Sequence, residues 1–256
     1  MRTVTIANHK GGVGKTTTAY TLGAGLRAKG YKVLLIDLDP QTNLGFTADV
    51  DLKESDYRLY NVFKGTQKTI DCIYQIDNDL EDFDILVGGV SLLNADAEFN
   101  KKDLLKKALK GLENSYDFVV IDTPPNLGIL TQNAIVVSDD LIIPLKADVY
   151  SLQGLGSIQG IIEECNPDIN ISGLLMVGVN ERTNLSKELM KVFKTEAKKL
   201  NSKVFKTMIR NSVVIPESQL NKTSIFNHAP SAKVTQDYTD FISEYLKGAK
   251  YGRPKK

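Results

Sequence analysis

The stretch TVTIAN, running into HKGGVGKTT and then into a helical pattern, constrains this chain more than any other feature. A β-branched strand, a glycine-rich turn and a helix opening on Lys-Thr-Thr bring backbone N–H groups and a helix N-terminus against phosphate oxygens. Gly11, Gly12 and Gly14 let those N–H groups turn inward with no Cβ in the way, and Val13 completes the turn. Lys15 is placed to reach the β and γ phosphates, the Thr16 hydroxyl to bind Mg²⁺, and Thr17 to meet the α phosphate. The loop is a variant, because His9 stands where the usual phosphate-loop pattern has its first Gly, and a second lysine, Lys10, opens the turn. Gly12-x-Gly14-x-x-Thr17 also comes close to the dinucleotide fingerprint, with Asp37 about where a ribose-binding acid would lie. That reading leaves Thr17 in the third glycine position and gives Lys15-Thr16 nothing to do, so it is set aside.

The rest of the chain repeats strand, helix, strand. Val4 to Ala7, Val33 to Ile36, Ile85 to Val87, Phe118 to Ile121, Leu141 to Pro144 and Leu174 to Val179 read as buried parallel strands. Helices are expected over 16–29, 101–113, 127–137, 152–164 and 186–200, with Gly30 ending the first and Asn166-Pro167 the fourth. The expectation is an α/β fold: one doubly wound, mostly parallel sheet with helices on both faces, a P-loop NTPase architecture over residues 1–256. With 256 residues, 42% of them hydrophobic, the chain can bury such a core as a single domain. Residues 47–84 are the least regular, and 248–256 read as a flexible tail.

Two strands end in acids. VLLI leads into Asp37-Leu38-Asp39-Pro40-Gln41, and FVVI into Asp122-Thr123-Pro124-Pro125. In parallel α/β sheets the ligand lies beyond the C-terminal strand edges, so these carboxylates should converge on the phosphate loop's crevice, where acids hold metal-bound water or orient an attacking one. Singly, each could be a turn or capping residue; three together after a phosphate loop point to the magnesium nucleotide site.

Charge divides the chain. Residues 1–182 hold 17 Lys and Arg against 25 Asp and Glu, whereas 183–256 hold 15 against 6, so the last quarter is the part suited to a polyanion. Within 186–200, Lys187, Lys191, Lys194 and Lys198 form one helical stripe, and Leu189, Phe193, Ala197 and Leu200 another. The apolar stripe packs and the lysine stripe faces out, with Lys199, Lys203, Lys206, Arg210, Lys222 and Lys233 as possible extensions. Lysines with no base-reading geometry suit phosphate contact, hence sequence-independent binding of double-stranded DNA. A solvated helix face is the plainer alternative. Two distant cysteines, Cys72 and Cys165, exclude a disulfide scaffold or a CxxC metal site within this chain. With neither a signal-type start nor a membrane-length apolar run, the expected location is cytoplasmic.

The segments KGGVGKTT, DLDPQTN, VVIDTPPNLG, NAIVVSDDLIIPLKADVYSLQGL, VNERTNL and IRNSVVIPES together resemble the ParA/MinD family of deviant Walker A ATPases, and within it the Soj-like ParA partition proteins. The resemblance spans nearly the whole chain, and His9 replaces a commonly seen Gln. It implies an ATP/ADP-binding ATPase with Mg²⁺ that pairs as a nucleotide-sandwich homodimer, associates with nucleoid DNA, and moves a plasmid or chromosome with a ParB-like partner. Lys10 resembles the lysine that reaches the partner's nucleotide, and Asp39 the residue that positions the hydrolytic water. Asp37 and Asp122 resemble outer-shell supports for Mg²⁺, and Asn180 and Arg210 fall in the adenine-contacting region. The rival within the family is a MinD-like membrane-associated ATPase, which needs a C-terminal amphipathic helix that inserts into a bilayer. The stripe Tyr238, Phe241, Ile242, Tyr245 and Leu246 exists, but its polar sequel GAKYGRPKK reads better as a packed helix with a charged end.

Overall fold

The computed structural model describes residues 1–51, 58–77, 82–148, 150–180 and 184–249. Seven strands, β1 (Arg2–Ile6), β2 (Val33–Asp37), β3 (Tyr74–Asp77), β4 (Asp82–Val87), β5 (Phe118–Asp122), β6 (Asp140–Lys146) and β7 (Asn170–Val177), form one sheet in the order β3-β4-β2-β5-β1-β6-β7. Every pairing is parallel except β3 with β4. The central strands are continuous Val/Ile/Leu runs because both of their faces are covered, which removes the alternation a one-sided sheet would show.

Eleven helices are described: α1 (Lys15–Ala28), α2 (Asn43–Thr47), α3 (Arg58–Lys64), α4 (Ala95–Glu98), α5 (Leu104–Ala108), α6 (Ile129–Val137), α7 (Tyr150–Cys165), α8 (Asn184–Lys199), α9 (Val214–Leu220), α10 (Ile225–His228) and α11 (Lys233–Gly248). On one face, α1 and α11 bury Leu22, Leu26, Tyr238 and Phe241 against Val4, Leu35 and Val120. The other face is split: Phe63, Leu105 and Ala134 pack on Leu34, Ile36 and Ile121, while Ile158 and Phe193 pack on Leu141, Ile143 and Leu174.

Three expectations need correcting. The helix expected over 101–113 is only Leu104–Ala108, because the chain turns at Gly111, whose φ of +92° favours glycine. The irregular region holds an antiparallel edge strand, β3, whose Gln75 and Asp77 gave no buried-strand signal. Strand β7 ends at Val177, and the chain beyond it makes a single bridge, Val179 to Arg210. Gly30 does end α1, with φ +89° and its N–H donating to the Arg27 carbonyl at 2.8 Å.

The apolar stripe of α11 belongs to the core. Tyr238, Phe241, Ile242 and Tyr245 are each at most 1% exposed. Burying such side chains is worth about 2 kcal/mol each, so turning this helix into a bilayer would cost the fold much of its stability. Among the described residues no helix is long and apolar enough to cross a membrane. Residues 250–256 of the expected tail lie outside the described residues.

Candidate nucleotide site

The parallel register decides how the acids meet. Asp37 and Asp122 are paired positions on neighbouring strands β2 and β5, and Ile6 of β1 is level with Asp122 on its other side. The chain leaves β1 at that level and enters the loop from 8 to 14, so loop and carboxylates share one edge. Gly12 and Gly14 take φ of +70° and +83°, the left-handed turn that aims successive N–H groups into a concavity at the start of α1.

Lys15 folds back over this turn, its Nζ donating to the Lys10 carbonyl at 3.0 Å. Burial lowers its pKa, while the charges of Asp122 and Asp39 pull the other way. Asn8, 1% exposed, braces the loop: its Nδ2 donates to the Pro144 carbonyl at 2.7 Å, and its Oδ1 accepts from the Lys10 N–H at 3.0 Å. The Lys10 ammonium reaches Asp148 Oδ2 at 2.5 Å and lies 5.7 Å from the centre of the Tyr150 ring. Burial raises the Asp148 pKa, but hydrogen bonds from Lys10 and Ser151 outweigh this and hold its carboxyl below the usual range.

Asp37 is fully buried and takes the Asp39 N–H on Oδ1 and the Gly45 N–H on Oδ2, both at 3.0 Å. Burial nonetheless pushes its pKa up to about 7. Asp39 is tied by its Oδ1 to the Gln41 N–H at 3.0 Å. Asp122 is also fully buried, and among the described residues neither of its oxygens has a hydrogen-bond partner within bonding geometry. Burial and the Asp37 charge raise its pKa well above the ordinary value, and the nearby Thr16 hydroxyl and Lys15 only partly offset this.

An unsatisfied buried carboxylate beside a second acid is the environment a dication would relieve. Among the described residues no group of three His, Cys, Asp or Glu is arranged to hold a metal alone. Two buried acids near the Thr16 hydroxyl therefore fit a dication that would draw its remaining ligands from a bound phosphate and water.

The rim on the opposite side comes from β7 and the segment just beyond its end. Val177 Cγ2 is 3.5 Å from where a Cβ on Gly14 would stand. Two residues on, Val179 bridges to Arg210, which joins the segment that carries Asn180 to the segment that carries Arg210. The Arg210 guanidinium is bidentate on Asp237, with Nε and Nη2 each donating at 2.6 Å. Gln219 of α9 donates to the Thr17 hydroxyl at 3.1 Å and closes this side.

The AAA domain family matches residues 1–175. The sporulation initiation inhibitor protein Soj of Bacillus subtilis is 32% identical over 249 residues, covering 94% of this chain and 96% of Soj. The chain belongs to the ParA/MinD family. A structure described as cobyrinic acid a,c-diamide synthase of Mycobacterium smegmatis, with bound ATP analogue and magnesium, superposes with a TM-score of 0.82 at 29% identity and covers 99% of this chain and 97% of its own. A putative plasmid partition protein of Borrelia burgdorferi, bound to AMPPNP, superposes at 0.78 with 26% identity, over 97% and 98% of the two chains.

Within this ParA/MinD chain, α8 packs on β7 at the far edge of the sheet. Lys191, Lys194 and Lys198 are exposed on it, and Lys206 follows; among the described residues none of the four ammonium groups has a carboxylate partner, while the Lys206 backbone N–H donates to Glu244 Oε1 at 2.9 Å. Lys222 departs from the expected free surface, since its Nζ pairs with Asp49 Oδ1 at 2.5 Å. The Lys187 side chain lies outside the described residues. Sequence reasoning missed Asn8, Asp148 and Gln219. Asn8 was visible as the polar residue between an apolar strand and the loop, whereas the other two are brought in from 138 and 202 residues away.

Proposed function

We infer that this chain is a ParA-type partition ATPase: it binds and hydrolyses Mg·ATP, dimerises around two nucleotides, coats nonspecific DNA in the nucleoid, and drives plasmid or chromosome partition with a ParB-like partner. The observation that carries this reading is the left-handed glycine loop sharing one strand edge with two buried acids, one of them unsatisfied. A relative that is a chromosome partitioning protein, matched over 96% of this chain and 88% of its own length, supports it.

The loop N–H groups and Lys15 bind and orient the phosphates, so much of the barrier is met by positioning. Magnesium, when bound, neutralises charge on the phosphate oxygens. Asp37, held by two backbone N–H groups, Asp122 and the Thr16 hydroxyl would hold the ion and its waters at this edge of the crevice. Asp39 has Oδ1 anchored, which leaves Oδ2 to aim a water. Lys10, on the rim, is the group that would cross to a partner's nucleotide and stabilise developing charge there. Val13, Gly11 and Thr17 complete the phosphate contacts, and Asn180 and Arg210 flank the base.

Duplex binding is assigned to Lys191, Lys194, Lys198 and Lys206, with Lys187 on the same stripe. Doubling this surface in a dimer adds avidity. The test is anisotropy of a labelled random-sequence duplex in Mg·ATP, Mg·ADP and no nucleotide, at two salt concentrations. Binding confined to ATP and weakened by salt is expected; equal binding in all three states, or none, would overturn the reading.

A further inference from the structure

On the sheet face covered by α3 and α5, a surface groove of about 780 Å³, lined by none of the nucleotide-site residues, runs between α3 with the turn after it and α5 with the turn around Gly111. Its floor is apolar. Phe63, Ala108 and Leu112 are buried there, Val62 and Leu104 are partly open, and Ile70 stands 56% exposed beside them. The two walls are tied at one point, where the Thr69 hydroxyl donates to the Ala108 carbonyl at 2.6 Å.

The charge of this groove runs against the charge of the region that builds it. Residues 1–182 carry a net negative charge, yet among the described residues the groove is lined by Lys64, Lys68, Lys101, Lys107 and Lys110 and by no Asp or Glu. Lys64 and Lys107 have partners outside the lining, Glu98 at 2.9 Å and Asp103 at 2.8 Å. Among the described residues Lys68, Lys101 and Lys110 have none within ion-pair distance, although the chain has acids to spare. Unpaired lysines ringing an exposed isoleucine are the inverse image of a segment with an apolar face and acidic flanks.

We propose that this groove docks an acidic amphipathic peptide segment of a protein partner, its apolar side chains seated on Ile70, Val62 and Leu104 and its carboxylates on Lys68, Lys101 and Lys110. A nucleic acid is the poorer occupant, because a phosphate backbone gains nothing from covering an apolar floor. The α8 lysines lie at the opposite end of the sheet order, on β7, so the two basic surfaces can be engaged separately.

The proposal is independent of the partition reading, and its test keeps the two apart. The probe is a labelled helical peptide with a leucine face and glutamates elsewhere, titrated into the full chain beside a scrambled peptide of the same composition and a labelled duplex. Wild type should bind the patterned peptide; Lys68→Glu/Lys101→Glu/Lys110→Glu should weaken it about tenfold, and Ile70→Ser should weaken it with less effect on salt dependence. ATP turnover and duplex affinity should stay unchanged in both variants. Equal peptide affinity in the triple variant, equal binding of the scrambled peptide, or loss of duplex binding in place of peptide binding would each overturn the assignment.

Discussion

The nucleotide crevice and the α8 lysine face make opposite demands on the chain. In the crevice most groups are held in place: Asp37 by two backbone N–H groups, the Lys10 N–H by Asn8 Oδ1 and Asp39 by the Gln41 N–H, around a buried Asp122. On α8, Lys191, Lys194 and Lys198 stand in solvent on one side of a packed helix, with no ion-pair partner among the described residues. The first region acts by geometry, so one atom out of place should abolish its function. The second acts by summed charge, so its losses should be graded and dependent on salt.

The sharpest way to break this contrast is Lys15→Ala. It removes a buried ammonium and its charge-assisted hydrogen bonds, each worth about 1.5–3 kcal/mol, so ATP affinity measured by calorimetry should fall at least about a hundredfold. A loss of only a few fold would mean that the loop, too, works by summed charge. Asp39→Ala should keep ATP binding and lower turnover by about a hundredfold or more, the range for losing a group that positions a proton acceptor or water. Normal turnover in a phosphate-release assay would remove Asp39 from that role.

The pH dependence of stability comes next. Asp37 has an ordinary value of 3.8 that the fold raises to about 7, and Asp122 moves the same way. Between those limits the folded chain holds protons the unfolded chain has released, so stability falls as pH rises from about 4 to about 7. The melting temperature of the nucleotide-free protein should drop across that window, and Asp37→Asn should flatten the slope. A wild-type curve that rises over the window would show that the crevice is not the desolvated site described. For α8, Lys191→Gln with Lys194→Gln should weaken duplex binding several fold and make the log–log salt dependence shallower by roughly 2. ATPase activity should not change; an all-or-none loss of DNA binding would mean that this face works by geometry after all.

Most of the crevice was legible in the sequence because its parts are local. A strand ending in Asp at the level where a neighbouring strand also ends in Asp needs only the parallel register to bring the two together, and β2 and β5 supply it. The apolar stripe of α11 was legible for a similar reason, since its period of 3.6 residues matches one buried face. What failed was long-range or short-period. Asp148 as the partner of Lys10 depends on how β6 runs past β1, and Lys222 as the partner of Asp49 depends on the turn after α9 meeting the turn after α2. The lysines of the α3–α5 groove were hidden by averaging over 1–182, where an acidic net charge masked a local basic cluster.

The smallest effect should come from Asp148→Asn, and it tests whether geometry in the crevice extends to its rim. The Lys10–Asp148 pair is about one-third exposed on both sides, so it contributes only about 0.2–1 kcal/mol. If Lys10 must leave Asp148 to reach a second nucleotide, that contact is lost on pairing and opposes the dimer. Removing it should then tighten ATP-dependent dimerisation by up to about fivefold, read by sedimentation, while ATP affinity of the monomer stays the same. A weaker dimer would reverse the assignment and make Asp148 a group that aims Lys10 across the interface.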